Sequence, residues 1–304
     1  MSNTLDDIVK LKKGWNGNDA EPIPEIVIIE ARRFLKYIIF DCELFPTAAE
    51  SVQFEFNFDN AYVEVEITRE GYEIYSEYNG KEFTWICDYD QLYDVINILK
   101  LKANKSREKA VLITGSFNPP TIAHYHMIEN SIRDVNTDFV VFGLANNRFV
   151  TKKMSRVNGY VYSEQDRLEM ILAMTYDNPN VLIYGIETGY TYDTLCSVKK
   201  DFGFKDVYFA CGDDKIHAVR KWGNHNKLLS EFCFYILTRG NDLDKIKNDA
   251  DTIFSETKYI IGKSNDNDKD ISSTKLREKI KNGEEFNDLV SENVYNILKE
   301  INNI

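Results

Sequence analysis

From Val52 to Phe58 apolar residues alternate with Gln53, Glu55 and Asn57. After Asp59-Asn60 the alternation resumes at Val63, Val65 and Ile67, with Glu64 and Glu66 between them. A period of two over this length predicts an antiparallel hairpin with one buried face and one wet face. Asn79-Gly80 predicts a second tight turn, between a strand ending near Tyr78 and one carrying Phe83 and Trp85. Helical periodicity lies on both sides, over residues 25–40 behind the Pro22–Pro24 stretch and over residues 90–100. Residues 1–101 therefore read as a small α+β domain with an antiparallel meander. Phe54, Phe56, Phe58 and Trp85 read as its own core.

The polar segment 102–108 reads as a linker, and after it the rhythm changes. Short apolar runs at 110–113, 139–143, 181–184, 207–211, 232–237 and 259–261 predict strands. Helices are predicted from Ile122, over 164–175, from Tyr192, and over 274–281 and 287–301. Alternation of this kind predicts an α/β domain over 109–304, a Rossmann-like, mostly parallel sheet covered on both faces. In such sheets ligands bind beyond the carboxyl ends of the strands.

Charge sharpens the boundary. Residues 1–100 carry 20 acidic and 9 basic side chains, whereas the other 204 residues carry 29 and 28, so nearly all of the net -12 sits in the first domain. A chain with no basic footprint is a poor partner for nucleic acid. Cys42, Cys87, Cys196, Cys211 and Cys233 stand singly, without zinc-ligand spacing, which fits a reducing cytoplasm. No apolar run reaches the roughly 20 residues that span a bilayer, and the N-terminus shows no signal-peptide pattern. A cytoplasmic protein away from membranes is expected.

Two loops carry candidate chemistry. The first predicted strand of the α/β domain runs into Gly115-Ser116-Phe117-Asn118-Pro119-Pro120-Thr121-Ile122-Ala123-His124. A glycine at a strand end admits a phosphate close to the backbone, and the next helix offers free N–H groups and a positive dipole end. A tight structural turn fits this stretch equally. His124 is on the first helical turn. His126 points about 200° away from it around the helix, so the two make no metal pair, and His126 reads as packing or surface. Near the other end, Ser272-Ser273-Thr274 precede Arg277 by one helical turn. Such a set binds terminal phosphates or is an ordinary cap with an exposed arginine.

Together, the first loop with its Thr-x-x-His and the later Ser-Ser-Thr-x-x-Arg resemble the two signatures of the nucleotidylyltransferase superfamily. More narrowly, residues ~109–300 resemble the nicotinamide/nicotinate mononucleotide adenylyltransferases. Four further stretches carry that likeness: Ser163-Glu164-x-x-Arg167, Gly189-Tyr190-Thr191-Tyr192-Asp193-Thr194-Leu195, Cys211-Gly212-Asp213-Asp214 followed by Trp222, and Thr238-Arg239-Gly240-Asn241-Asp242. Many members have histidine where this chain has Thr121; animal members also have threonine. Asp213 replaces a small apolar residue.

The resemblance implies transfer of the adenylyl group of ATP to a pyridine mononucleotide, with Mg²⁺ accompanying ATP and no all-protein metal site. It implies catalytic roles for His124, Arg277 and Thr121. It implies ATP contacts from Gly115, Ser116, Phe117, His124, Lys152 or Lys153, Gly212, Asp214, Ser273, Thr274 and Arg277. Tyr190, Thr191, Tyr192, Trp222 and Arg239 would hold the mononucleotide. The first domain lies outside the resemblance, and roles in partner binding or homo-oligomer assembly are open to it. The alternatives are a relative acting on another phosphorylated acceptor and a nucleotide-binding regulator without turnover.

Overall fold

The computed structural model describes residues 4–104, 106–156, 159–238 and 243–303. The chain divides into two compact units, residues 1–105 with the segment 176–179, and residues 106–175 with 180–304.

The first unit opens with helices α1 (Leu5–Ile8) and α2 (Glu25–Lys36). Strands β1 (Glu43–Pro46), β2 (Val52–Phe58), β3 (Ala61–Ile67), β4 (Tyr72–Tyr78) and β5 (Lys81–Cys87) follow, and α3 (Leu92–Ala103) closes the unit. The strands pair antiparallel in the order β1-β2-β3-β4-β5. Alternation does what the pattern predicts: Val52, Phe54, Phe56, Val63, Val65 and Ile67 are buried, and the glutamates between them face outward. Phe34 of α2 packs edge-on against Phe54 at 4.9 Å between centroids and against Phe56 at 6.3 Å. Phe58 and Trp85 depart from the expected core, since both are half-buried, and Phe83 near Trp85 is 49% exposed. Phe83 and Trp85 are on the last strand of the sheet. Helix α2 stops at Lys36 although the predicted helix runs to residue 40, because Tyr37 leaves helical geometry (φ -111°, ψ 2°). At the other end α3 takes in Lys102 and Ala103, so part of the polar linker is helix.

The second unit contains strands β6 (Lys109–Gly115), β7 (Phe139–Ala145), β8 (Val181–Ile186), β9 (Asp206–Gly212), β10 (Cys233–Thr238) and β11 (Tyr259–Lys263). Its helices are α4 (Ile122–Val135), α5 (Asn147–Met154), α6 (Glu164–Thr175), α7 (Thr191–Phe202), α8 (His225–Glu231), α9 (Leu243–Ile253), α10 (Ser273–Asn282) and α11 (Glu292–Asn302). The strands form one parallel sheet in the order β11-β10-β9-β6-β7-β8. Strand β7, interior to the sheet and buried from Phe139 to Leu144, has the continuous apolar run of a strand covered on both faces. β6 lies between β7 and β9, so the strand order reverses there and a crevice opens at the carboxyl ends of β6 and β9. Both strands end in glycine, Gly115 and Gly212. No helix among the described residues is long and apolar enough to cross a membrane.

Candidate active site

At the end of β6 the backbone turns back on itself. Phe117 is buried with φ +42°, and its ring lies 2.9 Å from where a Gly115 Cβ would be, so only glycine fits at Gly115. The same ring meets His124 edge-on at 5.1 Å and Phe142 at 5.1 Å, which fixes the loop against helix and sheet. Asn118, 1% exposed, donates from Nδ2 to the Tyr160 carbonyl (2.7 Å) and accepts from the Tyr162 N–H (2.9 Å). The Asn118–Pro119 peptide is cis.

Beneath the loop lies Arg167 of α6, fully buried. Its Nη1 donates to the Ser116 carbonyl (2.7 Å) and its Nη2 to Asn147 Oδ1 (2.8 Å). Desolvation pulls this guanidinium below its ordinary pKa, with Glu164 opposing. Glu164 in turn accepts from the Asn147 N–H at 2.9 Å. A buried cation held by a backbone carbonyl places positive charge directly under the residues a phosphate would meet.

Thr121 and His124 form a reciprocal cap at the start of α4. The Thr121 backbone N–H donates to His124 Nδ1 (2.9 Å), and the Thr121 hydroxyl lies 2.8 Å from the same nitrogen. A backbone N–H can only donate, so Nδ1 carries a lone pair and the proton of the neutral ring sits on Nε2. The cap thus makes His124 Nε2 a hydrogen-bond donor.

α10 brings the second signature to the first. Ser272 caps it by accepting from the Lys275 N–H. Ser273 Oγ donates to the Pro119 carbonyl (2.7 Å), and Arg277 Nη1 donates to the Asn118 carbonyl (2.6 Å). Arg277 Nη2 reaches Thr274 Oγ1 at 3.2 Å, and desolvation holds this guanidinium too below its ordinary value. From α5, Lys153 Nζ donates to Ser116 Oγ at 3.3 Å. Lys153 is therefore the lysine of its pair that bonds to the loop, although both lysines are exposed.

Two clefts flank these groups. A cleft of about 220 Å³ is bordered by His124, Asn130, Gly212, Ser264 and Ser273. The other, about 810 Å³, is bordered by Lys153, Tyr160, Tyr162, Thr274, Arg277 and Lys281. The first lies at the switch point of the sheet, and the second collects the cations. Among the described residues no three His, Cys, Asp or Glu side chains converge to hold a metal ion.

Beyond Gly212 the pieces are looser. Asp214 pairs with Lys215 (2.6 Å) at the surface, while Asp213 Oδ2 is buried without a partner among the described residues. Tyr190 precedes Thr191, the first residue of α7, and is 58% exposed. Its ring lies 2.6 Å from where a Gly223 Cβ would be, against the residue that follows Trp222 in the chain. Trp222 itself stands edge-on to Phe209 at 5.7 Å. Tyr192 is turned elsewhere: its hydroxyl donates to Glu231 (2.8 Å) and its ring packs on Phe232. Arg239 lies outside the described residues. His126, expected as packing or surface, bonds through Nδ1 to the buried Asp268 Oδ1 at 2.7 Å.

The structure adds Asn118 and Arg167 to the residues expected at the site. Their sequence signals were present, one inside the first loop and the other in Ser163-Glu164-x-x-Arg167. Neither motif says by itself that the side chain is turned inward to hold backbone carbonyl or N–H groups.

A sequence profile of the cytidylyltransferase-like family matches residues 112–279. A probable nicotinate-nucleotide adenylyltransferase of Clostridium tetani is 27% identical over 211 residues, covering 64% of this chain and 97% of that protein. One of Clostridium acetobutylicum is 30% identical over 200 residues, again covering 64% and 97%. Among solved structures, Plasmodium falciparum nicotinic acid mononucleotide adenylyltransferase complexed with APC aligns at a TM-score of 0.50. It has 20% identity and covers 64% of this chain and 96% of that one.

Proposed function

We propose that this chain, which belongs to the cytidylyltransferase-like family, transfers the adenylyl group of ATP to a pyridine mononucleotide, forming a dinucleotide and pyrophosphate. The relatives above are named for nicotinate mononucleotide, which favours nicotinate over nicotinamide as the acceptor. The observation that carries the reading is the junction of the two signature loops, where Ser273 and Arg277 bind the Pro119 and Asn118 carbonyls beside His124.

In the reaction a 5′-phosphate oxygen of the mononucleotide attacks the α-phosphorus of ATP in line. The bond from that phosphorus to the bridging oxygen breaks, and pyrophosphate leaves with the electron pair. The attacking phosphate is already ionised near neutral pH, so the site needs alignment and charge stabilisation rather than a strong base. His124 Nε2–H would donate to a phosphate oxygen as charge builds. Ser273, Thr274, Arg277 and Lys153 would grip the β- and γ-phosphates and then the leaving pyrophosphate. Backbone at Gly115–Phe117, backed by Arg167, would face the triphosphate. Gly212 and Asp214 would face the ribose, and Trp222 with Tyr190 would enclose the pyridine ring. Apart from the Glu278 carboxylate and the Asn302 amide, the polar side chains on the phosphate side are cations and hydroxyls, so they fit a magnesium ion carried by phosphate oxygens and water.

The test supplies ATP with nicotinate mononucleotide and with nicotinamide mononucleotide in turn, and follows dinucleotide and pyrophosphate. Equimolar appearance of both products supports the reading. ATP hydrolysis without dinucleotide, or transfer only to a non-pyridine phosphate, overturns it.

A further inference from the structure

The first unit leaves its two sheet edges in opposite states. β1 is four residues long and ends in Pro46, so that edge is short and partly without donors. β5 is seven residues long and pairs with β4 in unbroken register from Tyr72↔Cys87 to Tyr78↔Lys81. No other strand among the described residues pairs with β5. A long, regular, unpaired edge is what folded proteins ordinarily blunt.

Both faces beside this edge are unusual. On the core side Phe83 and Trp85 stand opposite the buried Ser76 and Ile74, yet Phe83 is 49% exposed. The apolar face therefore runs on past the helices that cover the rest of it. On the outer side three glutamate pairs stand directly opposite each other across neighbouring strands, Glu55↔Glu64, Glu66↔Glu73 and Glu77↔Glu82. Like charges so placed destabilise a sheet. Their neighbours are neutral donors such as Gln53 (2.8 Å to Glu55) and Tyr62 (2.7 Å to Glu64), and no ion pair joins any of the six to a cation among the described residues. Desolvation, then the charges of Glu82 and Glu77, raise the Tyr75 hydroxyl above its ordinary pKa. A shallow groove of about 490 Å³ crosses this face between Glu66, Glu73, Tyr75, Thr84 and Ile86.

We infer that β5 is a docking edge for an extended polypeptide segment in which basic and apolar residues alternate. The segment adds as a sixth strand, with its backbone on β5, its basic side chains over the glutamate face and its apolar ones beside Phe83 and Trp85. Charge complementarity selects this occupant. A second copy of the chain would bring two glutamate faces of one sign together. A free metal ion finds no set of three acidic, histidine or cysteine ligands among the described residues.

The experiment uses the full chain and a dye-labelled seven-residue peptide alternating Lys and Val, followed by fluorescence anisotropy at low and moderate salt. Two control peptides carry Glu for Lys, or N-methyl groups on alternate amides that remove ladder donors without changing charge. The Lys–Val peptide is expected to bind at least tenfold more tightly than either control. Glu73→Lys should weaken it at least tenfold while leaving the fold as stable or more so, because it turns Glu66↔Glu73 into an opposite-charge pair. Phe83→Lys should weaken binding further, and adenylyl transfer should be unchanged in both variants. Equal binding of the N-methylated peptide would show adsorption by charge alone and overturn the inference. So would equal binding of the Glu–Val peptide, full binding by Glu73→Lys, or a dimer of the free chain that Phe83→Lys dissolves.

Discussion

Arg277 Nη1 donates to the carbonyl oxygen of Asn118 at 2.6 Å, joining residues 159 positions apart in the chain. With Ser273 on the Pro119 carbonyl, this contact makes one site out of two loops. A guanidinium has five donors in a planar fork, so it can hold this carbonyl and Thr274 and still grip phosphate, whereas an ammonium cannot. Arg277→Lys should therefore lower kcat/KM for ATP by roughly ten- to a hundredfold, the value of about 1.5–3 kcal/mol for hydrogen bonds to a charged group. Steady-state kinetics over a range of ATP concentrations checks it, and an unchanged kcat/KM would remove Arg277 from the phosphate site.

The Thr121 cap fixes the tautomer of His124, and that can be read directly. In ¹⁵N-detected spectra at neutral pH the His124 ring should show a protonated Nε2 and an unprotonated Nδ1. A proton on Nδ1 would mean that the cap is not formed. His124→Ala should reduce kcat by roughly a hundred- to a thousandfold, as removal of a donor aimed at developing charge does elsewhere, with a smaller effect on ATP affinity.

The two adjacent lysines separate cleanly. Both are exposed, and Lys153 is the one that bonds to Ser116 Oγ. Lys153→Ala should raise KM for ATP several-fold more than Lys152→Ala. Equal effects would mean that α5 turns when nucleotide binds.

Asn118 stabilises the loop through both ends of its amide, to the Tyr160 carbonyl and the Tyr162 N–H. Asn118→Ala leaves the buried Tyr162 N–H and the part-buried Tyr160 carbonyl without this partner and should cost about 2–4 kcal/mol, at about 1–3 kcal/mol for a buried orphaned group and less for the part-buried one. Thermal unfolding should show a fall in Tm of several degrees. A Tm equal to wild type would show that the bonds are not made in solution.

In the first unit, desolvation raises Asp94 from 3.8 to about 6, with Tyr93 and Gln91 opposing. The folded state then binds more protons than the unfolded state between about pH 4 and 6, so the contribution of Asp94 to stability declines as pH rises through that window. Asp94→Asn should abolish this decline and stabilise the protein at pH 7 by up to about 3 kcal/mol, read by chemical unfolding. Greater loss of stability in the variant than in wild type at pH 7 would contradict it.

Much of this was legible in the sequence where one rule acts locally. The alternation from Val52 to Ile67 prescribes its strands, and the all-apolar Phe139–Leu144 run prescribes a parallel strand buried on both faces. The two signature loops show which ends of the fold must meet. What could not be read depends on helix phase and distant partners. α5 and α8 have eight and seven residues, too short for periodicity to declare them, so the choice between Lys152 and Lys153 had no basis before the phase of α5 was known. Tyr190 and Tyr192 look alike in sequence. The first precedes α7 and meets Gly223, while the second is inside the helix and is turned toward α8. Asn118 and Arg167 act through backbone groups that only the folded chain brings near them.

Adenylyl transfer at the junction of the two loops has a direct readout. It is tested most directly by incubating the full chain with ATP, Mg²⁺ and nicotinate mononucleotide and measuring pyrophosphate and dinucleotide together, in wild type and in His124→Ala. Wild type should yield equal amounts of the two products, and the variant should form both at least a hundredfold more slowly. A folded wild-type chain that binds ATP yet releases no pyrophosphate with any pyridine mononucleotide, or a variant that matches it, would contradict the account.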